Sequence, residues 1–185
     1  MEVIYILLGL LILWMGYLYA RFLSKRIICC RKLKSICKAK GFQLHRNHML
    51  WFLGGRNGKK CDCYIESPTS VMCIKLFGVV PRLRTLVFVE ERAYFLRRHM
   101  GMLLFLNEKV DGESRELPGY DFYYKGKDSF PEKKRYHILL VNPVPVEMLH
   151  QFDNGQEVIL NPGDKIRDME VYNQSWLLEK LENLE

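Results

Sequence analysis

The chain has 185 residues and a formal net charge of +7 at pH 7. This positive charge is concentrated in one segment, because residues 24–60 carry eleven Lys or Arg and no acid, whereas residues 61–185 carry sixteen basic and twenty acidic side chains. A nucleic-acid-binding surface should extend over a whole face of a domain, so this distribution argues against nucleic acid as a partner.

The N-terminal segment is an uncharged apolar run from Val3 to Ala20. As a helix this run is about 27 Å long, close to the roughly 30 Å hydrocarbon thickness of a bilayer. A secretory signal peptide would need a basic start and a small-residue cleavage site, and neither is present. A buried core helix is rarely this long and this free of charge. The pattern therefore predicts a transmembrane anchor over residues 1–23.

The basic segment that follows the anchor predicts its orientation. Positive charge is retained on the cytoplasmic side of a membrane, so we expect the N-terminus outside the cell and the rest of the chain in the cytoplasm. Amphipathic rings prefer the membrane boundary, and Arg21 can extend its guanidinium to the headgroups. The residues expected at the inner boundary are Trp14, Tyr17, Tyr19 and Arg21.

Residues 24–41 predict a basic amphipathic helix beside the membrane, into which the membrane helix either continues or bends. The segment 24–40 contains neither Gly nor Pro, its apolar residues recur near helical spacing, and Gly41 is a natural stop. We expect this helix either to lie on the bilayer or to pack on the domain with its charges toward anionic lipid. Each Lys or Arg near the membrane surface contributes about 1 kcal/mol of attraction to anionic lipid. The charged residues assigned to this interface are Lys25, Arg26, Arg31, Lys32, Lys34 and Lys38.

The remainder, residues 42–185, predicts one cytoplasmic α+β domain that is mainly β and ends in a helix. Short apolar runs separated by turn residues are typical of strands, and a continuous apolar run at His137–Val141 indicates a central buried strand. Asn173 can cap a final helix over Gln174–Leu184. The other predicted strands are Val71–Phe77, Thr85–Val89, Ala93–Leu96, Met102–Leu106, Val158–Leu160 and Met169–Tyr172.

Three further local patterns complete the domain. Asn57-Gly58 lies between two apolar runs, which is a strong hairpin signal. The segment Asp111–Pro118 is polar and predicts a loop. Tyr120, Phe122 and Tyr124 alternate and would give one aromatic face, which we consider, with the final helix, as a contact surface for a partner in a membrane complex.

Six cysteines lie in the first half of the chain, and in a cytoplasmic domain they should stay reduced. Adjacent cysteines at 29 and 30 are either acylation sites or small apolar residues on the helix. A zinc site is not predicted, because the cysteines do not have the paired spacing of a zinc finger. The cysteines are Cys29, Cys30, Cys37, Cys61, Cys63 and Cys73.

The residues that could best carry out catalysis lie in two segments, Lys60-Cys61-Asp62-Cys63-Tyr64-Ile65 and Met72-Cys73-Ile74-Lys75. Asp62 and Glu66 are four residues apart on a predicted strand, so both project from one face, and Lys75 lies on the next strand. Two carboxylates can hold Mg²⁺, and a lysine can orient or activate water for phosphodiester cleavage.

This order of acid and lysine on neighbouring strands resembles the core of the restriction-endonuclease-like superfamily. The resemblance implies a catalytic set of Asp62, Glu66 and Lys75 and a Mg²⁺ cofactor. The chain departs from the motif at Cys73, where the superfamily has an acid, and a thiol is a poor ligand for Mg²⁺. The alternative is that Asp62 and Glu66 form the solvated face of an edge hairpin.

No complete catalytic motif is present, so we expect a single-pass membrane protein whose cytoplasmic domain is an interaction or scaffolding module at the inner membrane face. Its expected partners are the bilayer, anionic lipid headgroups and another protein, and it needs no cofactor. The alternative is a membrane-tethered, metal-dependent nuclease-like enzyme, active or not.

Overall fold

The computed structural model describes residues 2–46, 61–78, 84–90, 93–98, 110–117 and 133–184. Its first element is a single helix, α1 (Glu2–Lys40), 39 residues long. The helix ends at Gly41, whose φ of 71° is the left-handed conformation that glycine favours. The Phe42 N–H reaches the Cys37 carbonyl at 2.8 Å and the Gly41 N–H reaches the Lys38 carbonyl at 3.4 Å. These two bonds form a Schellman cap.

The two halves of α1 differ in what surrounds them. The N-terminal half is long and apolar enough to cross a membrane, with a mean hydropathy of 1.8 and no buried residue in its most apolar window. The C-terminal half packs on the domain through Cys29, Leu33 and Cys37, which are buried in the main core. Their spacing is that of one helix face. The N-terminal half of the helix is therefore apolar and exposed, whereas one face of its C-terminal half belongs to the core.

The domain contains eleven described strands. Most are short, and the two longest, with eight residues each, pair with each other. In chain order they are β1 (Gln43–Arg46), β2 (Cys63–Glu66), β3 (Ser70–Phe77), β4 (Arg84–Val89), β5 (Ala93–Arg98), β6 (Val110–Glu116), β7 (Lys134–Val141), β8 (Met148–Gln151), β9 (Glu157–Ile159), β10 (Lys165–Ile166) and β11 (Met169–Asn173).

The strands form two sheets. The first is mixed, with the order β1-β2-β3-β7-β11-β10, and its centre is the parallel trio β3, β7 and β11. The second has the order β6-β5-β4-β8-β9. The parallel trio is buried on both faces, as parallel strands usually are, because one face meets the helices and the other meets the second sheet.

The core is therefore layered as helices, first sheet and second sheet. On one side Ile74, Ile138 and Leu140 join α1 and the last helix, α2 (Gln174–Glu182), in one apolar cluster. On the other side Phe77 packs against Phe88 of the second sheet, with ring centroids 6.2 Å apart. Alternate residues of β3 and β7 thus supply the two different cores.

The final helix begins as its cap residue predicts. Asn173 has an extended backbone, and its side-chain oxygen accepts the Trp176 N–H at 3.0 Å, which satisfies one of the free donors of the first turn. The helix buries Leu177 and Leu181, so it is part of the core and presents only its outer face to solvent.

Several predictions from the sequence are confirmed. The fold is α+β with an apolar N-terminal helix and a C-terminal helix, and His137–Val141 lies in the buried centre of the first sheet. The loop prediction for Asp111–Pro118 was wrong, because most of this polar segment is the edge strand β6. The Asn57-Gly58 hairpin, the strand Met102–Leu106 and the Tyr120/Phe122/Tyr124 face lie outside the described residues.

Candidate functional site: a buried charge cluster

The most unusual site is at the carboxyl ends of β3 and β7. These parallel strands run in register, with Phe77 opposite Val141, so the residues that follow them emerge at one edge of the sheet. There the Asn142 N–H donates to the Phe77 carbonyl at 3.0 Å. Helix α1 crosses this same edge and brings Arg26 to it, because the Arg26 Nε donates to the Asn142 carbonyl at 3.2 Å.

Asp62 and Lys75 form a buried ion pair at this edge. The Lys75 Nζ lies 3.7 Å from the Asp62 Oδ1, and the two side chains are 1% and 0% exposed. The other carboxylate oxygen, Oδ2, accepts the Leu76 N–H at 2.8 Å. The pairing of β2 with β3 explains the geometry, because Cys63 is opposite Ile74 and the preceding residue therefore lies opposite Lys75.

Arg26 completes the cluster from the helix side. It is 3% exposed, it lies close enough to Asp62 for their charges to interact, and its guanidinium carbon is 4.7 Å from the centre of the Phe22 ring. Gly78 leaves room for the guanidinium, because a Cβ at that position would lie 2.2 Å from the Arg26 Nη2. The sheet edge is therefore shaped around this arginine.

The cluster holds two cations and one anion with almost no exposed surface. Burying each charge costs several kcal/mol, which attraction and hydrogen bonds must offset. The pKa of Lys75 is lowered because burial disfavours its charged form, while the Asp62 carboxylate opposes this shift. The Asp62 carboxylate is thus the group that makes two buried cations tolerable, and the site is electropositive.

Glu66, the third member of the predicted catalytic set, belongs to a different cluster. Its Oε1 accepts a hydrogen bond from the Lys133 Nζ at 2.7 Å, and its Oε2 lies 3.3 Å from the His45 Nε2. The hydrogen bond from Lys133 lowers the pKa of Glu66. Four residues of extended strand separate Glu66 from Asp62, which is about 13 Å, so the structure brings Asp62 and Lys75 together but not Glu66.

The other interpretations of this region can now be compared with the geometry. Asp62 is fully buried, so it does not form the solvated face of an edge hairpin, and β2 is not an edge strand, because β1 pairs with it. The Cys73 thiol hydrogen-bonds with the Cys61 thiol in a small buried cluster. Within the described ranges, no group of three or more His, Cys, Asp or Glu side chains is arranged to hold a metal ion.

The residues assigned to a membrane interface have different surroundings. The aromatic residues Trp14, Tyr17 and Tyr19 are exposed on the apolar half of α1. Arg26 does not face outward with its basic neighbours but lies inside the domain. The helix does not break near residue 24, so the basic segment continues the axis of the apolar one. The exposed basic residues of the helix are Arg21, Arg31, Lys32, Lys34, Lys38 and Lys40.

Sequence reasoning assigned Arg26 to the membrane interface, which is wrong because the side chain is buried, and it missed the place of Arg26 in the buried cluster, although a signal was available. Arg26 is three and four residues before Cys29 and Cys30 and seven before Leu33, so it falls on the apolar stripe of the helix. A charged residue on a core-facing stripe must find a buried partner. Asn142 gave no such signal, because its role depends on the close approach of α1 to the end of β7.

A second feature of the surface is an open cleft of about 1180 Å³ on the second sheet. Three carboxylates from separate segments line it, together with His150 and with Arg167 from the turn between β10 and β11. The His150 ring also lies 4.4 Å, centroid to centroid, from the ring of Phe152, which is 44% exposed. The cleft is thus acidic with an apolar wall. Its carboxylates are those of Glu90, Glu116 and Asp153.

Family models, curated proteins and solved structures were compared with this chain, and none of them matches it.

Proposed function

We propose that the protein is a single-pass membrane protein, with the domain in the cytoplasm, that acts as an interaction module held at the inner membrane face. The observation that carries this proposal is the continuity of α1, which passes from an exposed apolar half into the core of the domain without a break. An apolar rod of this length is expensive to leave in water, and a bilayer is the environment that covers it.

The charge distribution supports the orientation. The basic residues that follow the apolar half belong on the cytoplasmic side. A helix rises about 1.5 Å per residue, so Lys38 is about 25 Å along the axis from Arg21, beyond the Debye length of about 8 Å. For an upright helix, only the first basic residues therefore contact headgroups, and the later ones contribute to orientation.

The acidic cleft is the surface we assign to the protein partner. Its three carboxylates and the exposed Phe152 favour a segment that carries both basic and apolar side chains. The rest of the domain agrees with such a role, because residues 61–185 have more acidic than basic side chains. The module would thus present opposite charges to lipid and to its protein partner.

Membrane topology tests the first part of the proposal. A C-terminal epitope tag on the full chain should remain in the membrane fraction through alkaline carbonate extraction. In intact cells the tag should resist external protease and become digestible once the membrane is permeabilised. Release of the intact chain by carbonate, or digestion of the tag in intact cells, would contradict the proposal.

Charge reversal tests the partner surface. In cells treated with an amine-reactive cross-linker, the full chain should give a discrete cross-linked product that Glu116→Lys and Asp153→Lys remove. Glu182→Lys, on the exposed outer face of α2, is the matched control and should keep that product. If the cleft variants keep the product, or if the control also loses it, the cleft is not the docking surface.

The nuclease-like enzyme remains the second candidate function, and one observation favours it, the meeting of Asp62 with Lys75. Such an enzyme requires a second carboxylate and access for a phosphodiester, and the pair is almost fully buried. Purified full chain and its Asp62→Asn variant are incubated with DNA or RNA and Mg²⁺. We expect no cleavage by the full chain that depends on Asp62. Cleavage with that dependence would favour the enzyme over the interaction module.

A further inference from the structure

A stripe of exposed cations runs along the domain half of α1. Arg31, Lys34 and Lys38 are spaced three and four residues apart and are exposed, so they lie on one face of the helix. That face points away from the core, because Leu33 and Cys37 of the same helix are buried in it. We call these three residues the basic stripe. Like charges at this spacing repel each other, so an acidic surface against the stripe would stabilise it.

Neither the domain nor the membrane neutralises the basic stripe. None of its three side chains makes an ion pair within the part of the chain that the structure describes. In an upright helix, Lys34 and Lys38 lie about 20 and 25 Å along the axis from Arg21. These distances exceed the Debye length of about 8 Å at physiological ionic strength, so the stripe is available to an anionic surface other than lipid.

The acidic cleft on the second sheet is complementary to such a stripe. Its three carboxylates make no ion pair with any described residue, and they outnumber the one arginine of the lining. Phe152 is 44% exposed at the same cleft. The apolar stem of a lysine or arginine packs on an aromatic ring while its charge remains near the carboxylates. The cleft therefore fits a row of basic side chains presented by a helix.

The cleft and the stripe of one molecule cannot meet. Helix α1 packs on one face of the first sheet, whereas the second sheet, which forms most of the cleft, packs on the other face. Packed layers are about 10 Å apart, so about 20 Å separates the two surfaces. The helix that fills the cleft must belong to another molecule, and a second copy of this chain supplies such a helix in the same membrane.

The two surfaces also lie at a similar depth below the membrane. Helix α1 runs antiparallel to β7, because Arg26 contacts the residue that follows β7, and Gln43, just past α1, is aligned across the sheet with Arg135 near the start of β7. In the cleft, Arg167 lies three residues before the partner of Ile138, which is in the middle of β7. This end of the cleft is therefore level with the last turns of α1.

We propose that the acidic cleft of one copy binds the basic stripe of a second copy in the same membrane. The inference rests on the proposed function, in which the cleft is the docking surface, and it names the partner. The two contacting surfaces are different, so each pair leaves one cleft and one stripe open. Such head-to-tail contacts close into rings or continue as rows. Because every copy is anchored in the same orientation, the ring or row lies in the membrane plane.

Energy transfer in vesicles measures this association. The full chain carries a donor or an acceptor fluorophore on a C-terminal tag, and both forms are reconstituted together in phosphatidylcholine vesicles at low surface density. We expect more energy transfer than randomly distributed chains give at that density, and the excess should persist when more lipid is added. Transfer that falls to the random value would overturn the proposal.

A charge exchange between the two surfaces gives the sharper test. The cleft variant Glu116→Lys/Asp153→Lys and the stripe variant Lys34→Glu/Lys38→Glu should each associate with themselves at least about tenfold more weakly, because like charges then face each other. A mixture of the two variants restores opposite charges at every contact and should recover the transfer of the parent. Recovery would also show that both variants are folded, and its absence would overturn the proposal.

A matched control and a comparison with the cell experiment complete the test. Lys32→Glu changes an exposed cation that lies off the stripe, and it should associate as the parent does; an equal loss would mean that general charge, not the stripe, controls association. If the cleft variants lose the cross-linked product in cells but the parent shows no excess transfer in vesicles, the cleft docks another protein, so this inference fails and the proposed function remains. Excess transfer with recovery, but with an extracellular C-terminus, would retain the association and refute the orientation.

Discussion

Asp62→Asn is the substitution that most directly tests the buried cluster. The change keeps the shape of the side chain and an oxygen that can accept the Leu76 N–H, which the carboxylate accepts at 2.8 Å. It removes only the negative charge between Arg26 and Lys75. Two cations then remain buried with no counter-charge among the residues of the cluster.

The expected loss of stability is large. Breaking a buried ion pair by removing one partner costs about 3–5 kcal/mol, which is a substantial part of the roughly 5–15 kcal/mol that holds a typical domain folded. Lys75→Met should cost much less, below about 1.5 kcal/mol, because it removes one buried cation, keeps much of the side-chain volume, and leaves Asp62 with Arg26.

The double variant provides the decisive comparison. In Asp62→Asn/Lys75→Met the uncompensated cation at position 75 is gone, so the combined loss should be smaller than the sum of the single losses by at least about 1 kcal/mol. The measurement is urea unfolding of the full chain in detergent micelles, followed by near-ultraviolet circular dichroism. An Asp62→Asn loss within about 0.5 kcal/mol, the range of ordinary surface substitutions, would refute the reasoning, as would additive losses.

Three further predictions use the same unfolding measurement. Leu33→Ala should cost about 2–5 kcal/mol because the side chain is fully buried, whereas Leu13→Ala in the exposed apolar half should leave the domain unchanged; equal effects would contradict a shared core. Asn173→Ala should cost about 1 kcal/mol through loss of the α2 cap, and Asn173→Ser should recover most of it. Stability should fall as the pH drops below about 4.5, because Lys133 lowers the pKa of Glu66 and Arg97 lowers that of Glu157. Each carboxylate therefore stabilises the folded state at pH values above its unfolded pKa. This stabilisation is lost as the pH falls through the lower pKa of the folded state. The Glu66→Gln/Glu157→Gln variant should flatten this acid slope in a plot of Tm against pH, and an unchanged slope would show that other groups control it.

Much of the fold could be predicted from local patterns. The central strand at His137–Val141 was readable as a continuous apolar run, and the cap at Asn173 and the stop at Gly41 carry their own chemistry. The edge strand β6 could not be predicted in this way, because its sequence is polar and contains no sign of its pairing with β5. Edge strands have one open side, so burial does not impose a pattern on them.

The candidate site was only half predictable. Neighbouring strands made it reasonable to place Asp62 near Lys75, and the structure does so. The inclusion of Glu66 assumed that two residues on one face are close, although four residues of strand separate them by about 13 Å. The contribution of Arg26 depends on how α1 crosses the sheet, and no local pattern contains that angle.

In the proposed membrane-spanning arrangement, the unbroken α1 has a mechanical consequence. A hydrophobic segment adapts to changes in bilayer thickness by tilting, and a helix of 39 residues is about 58 Å long. A change in tilt of 10° would move its far end by about 10 Å. Because nothing between the apolar rod and the domain can swivel, the whole domain would swing with the rod, and the acidic cleft would face a different direction in a thin membrane than in a thick one.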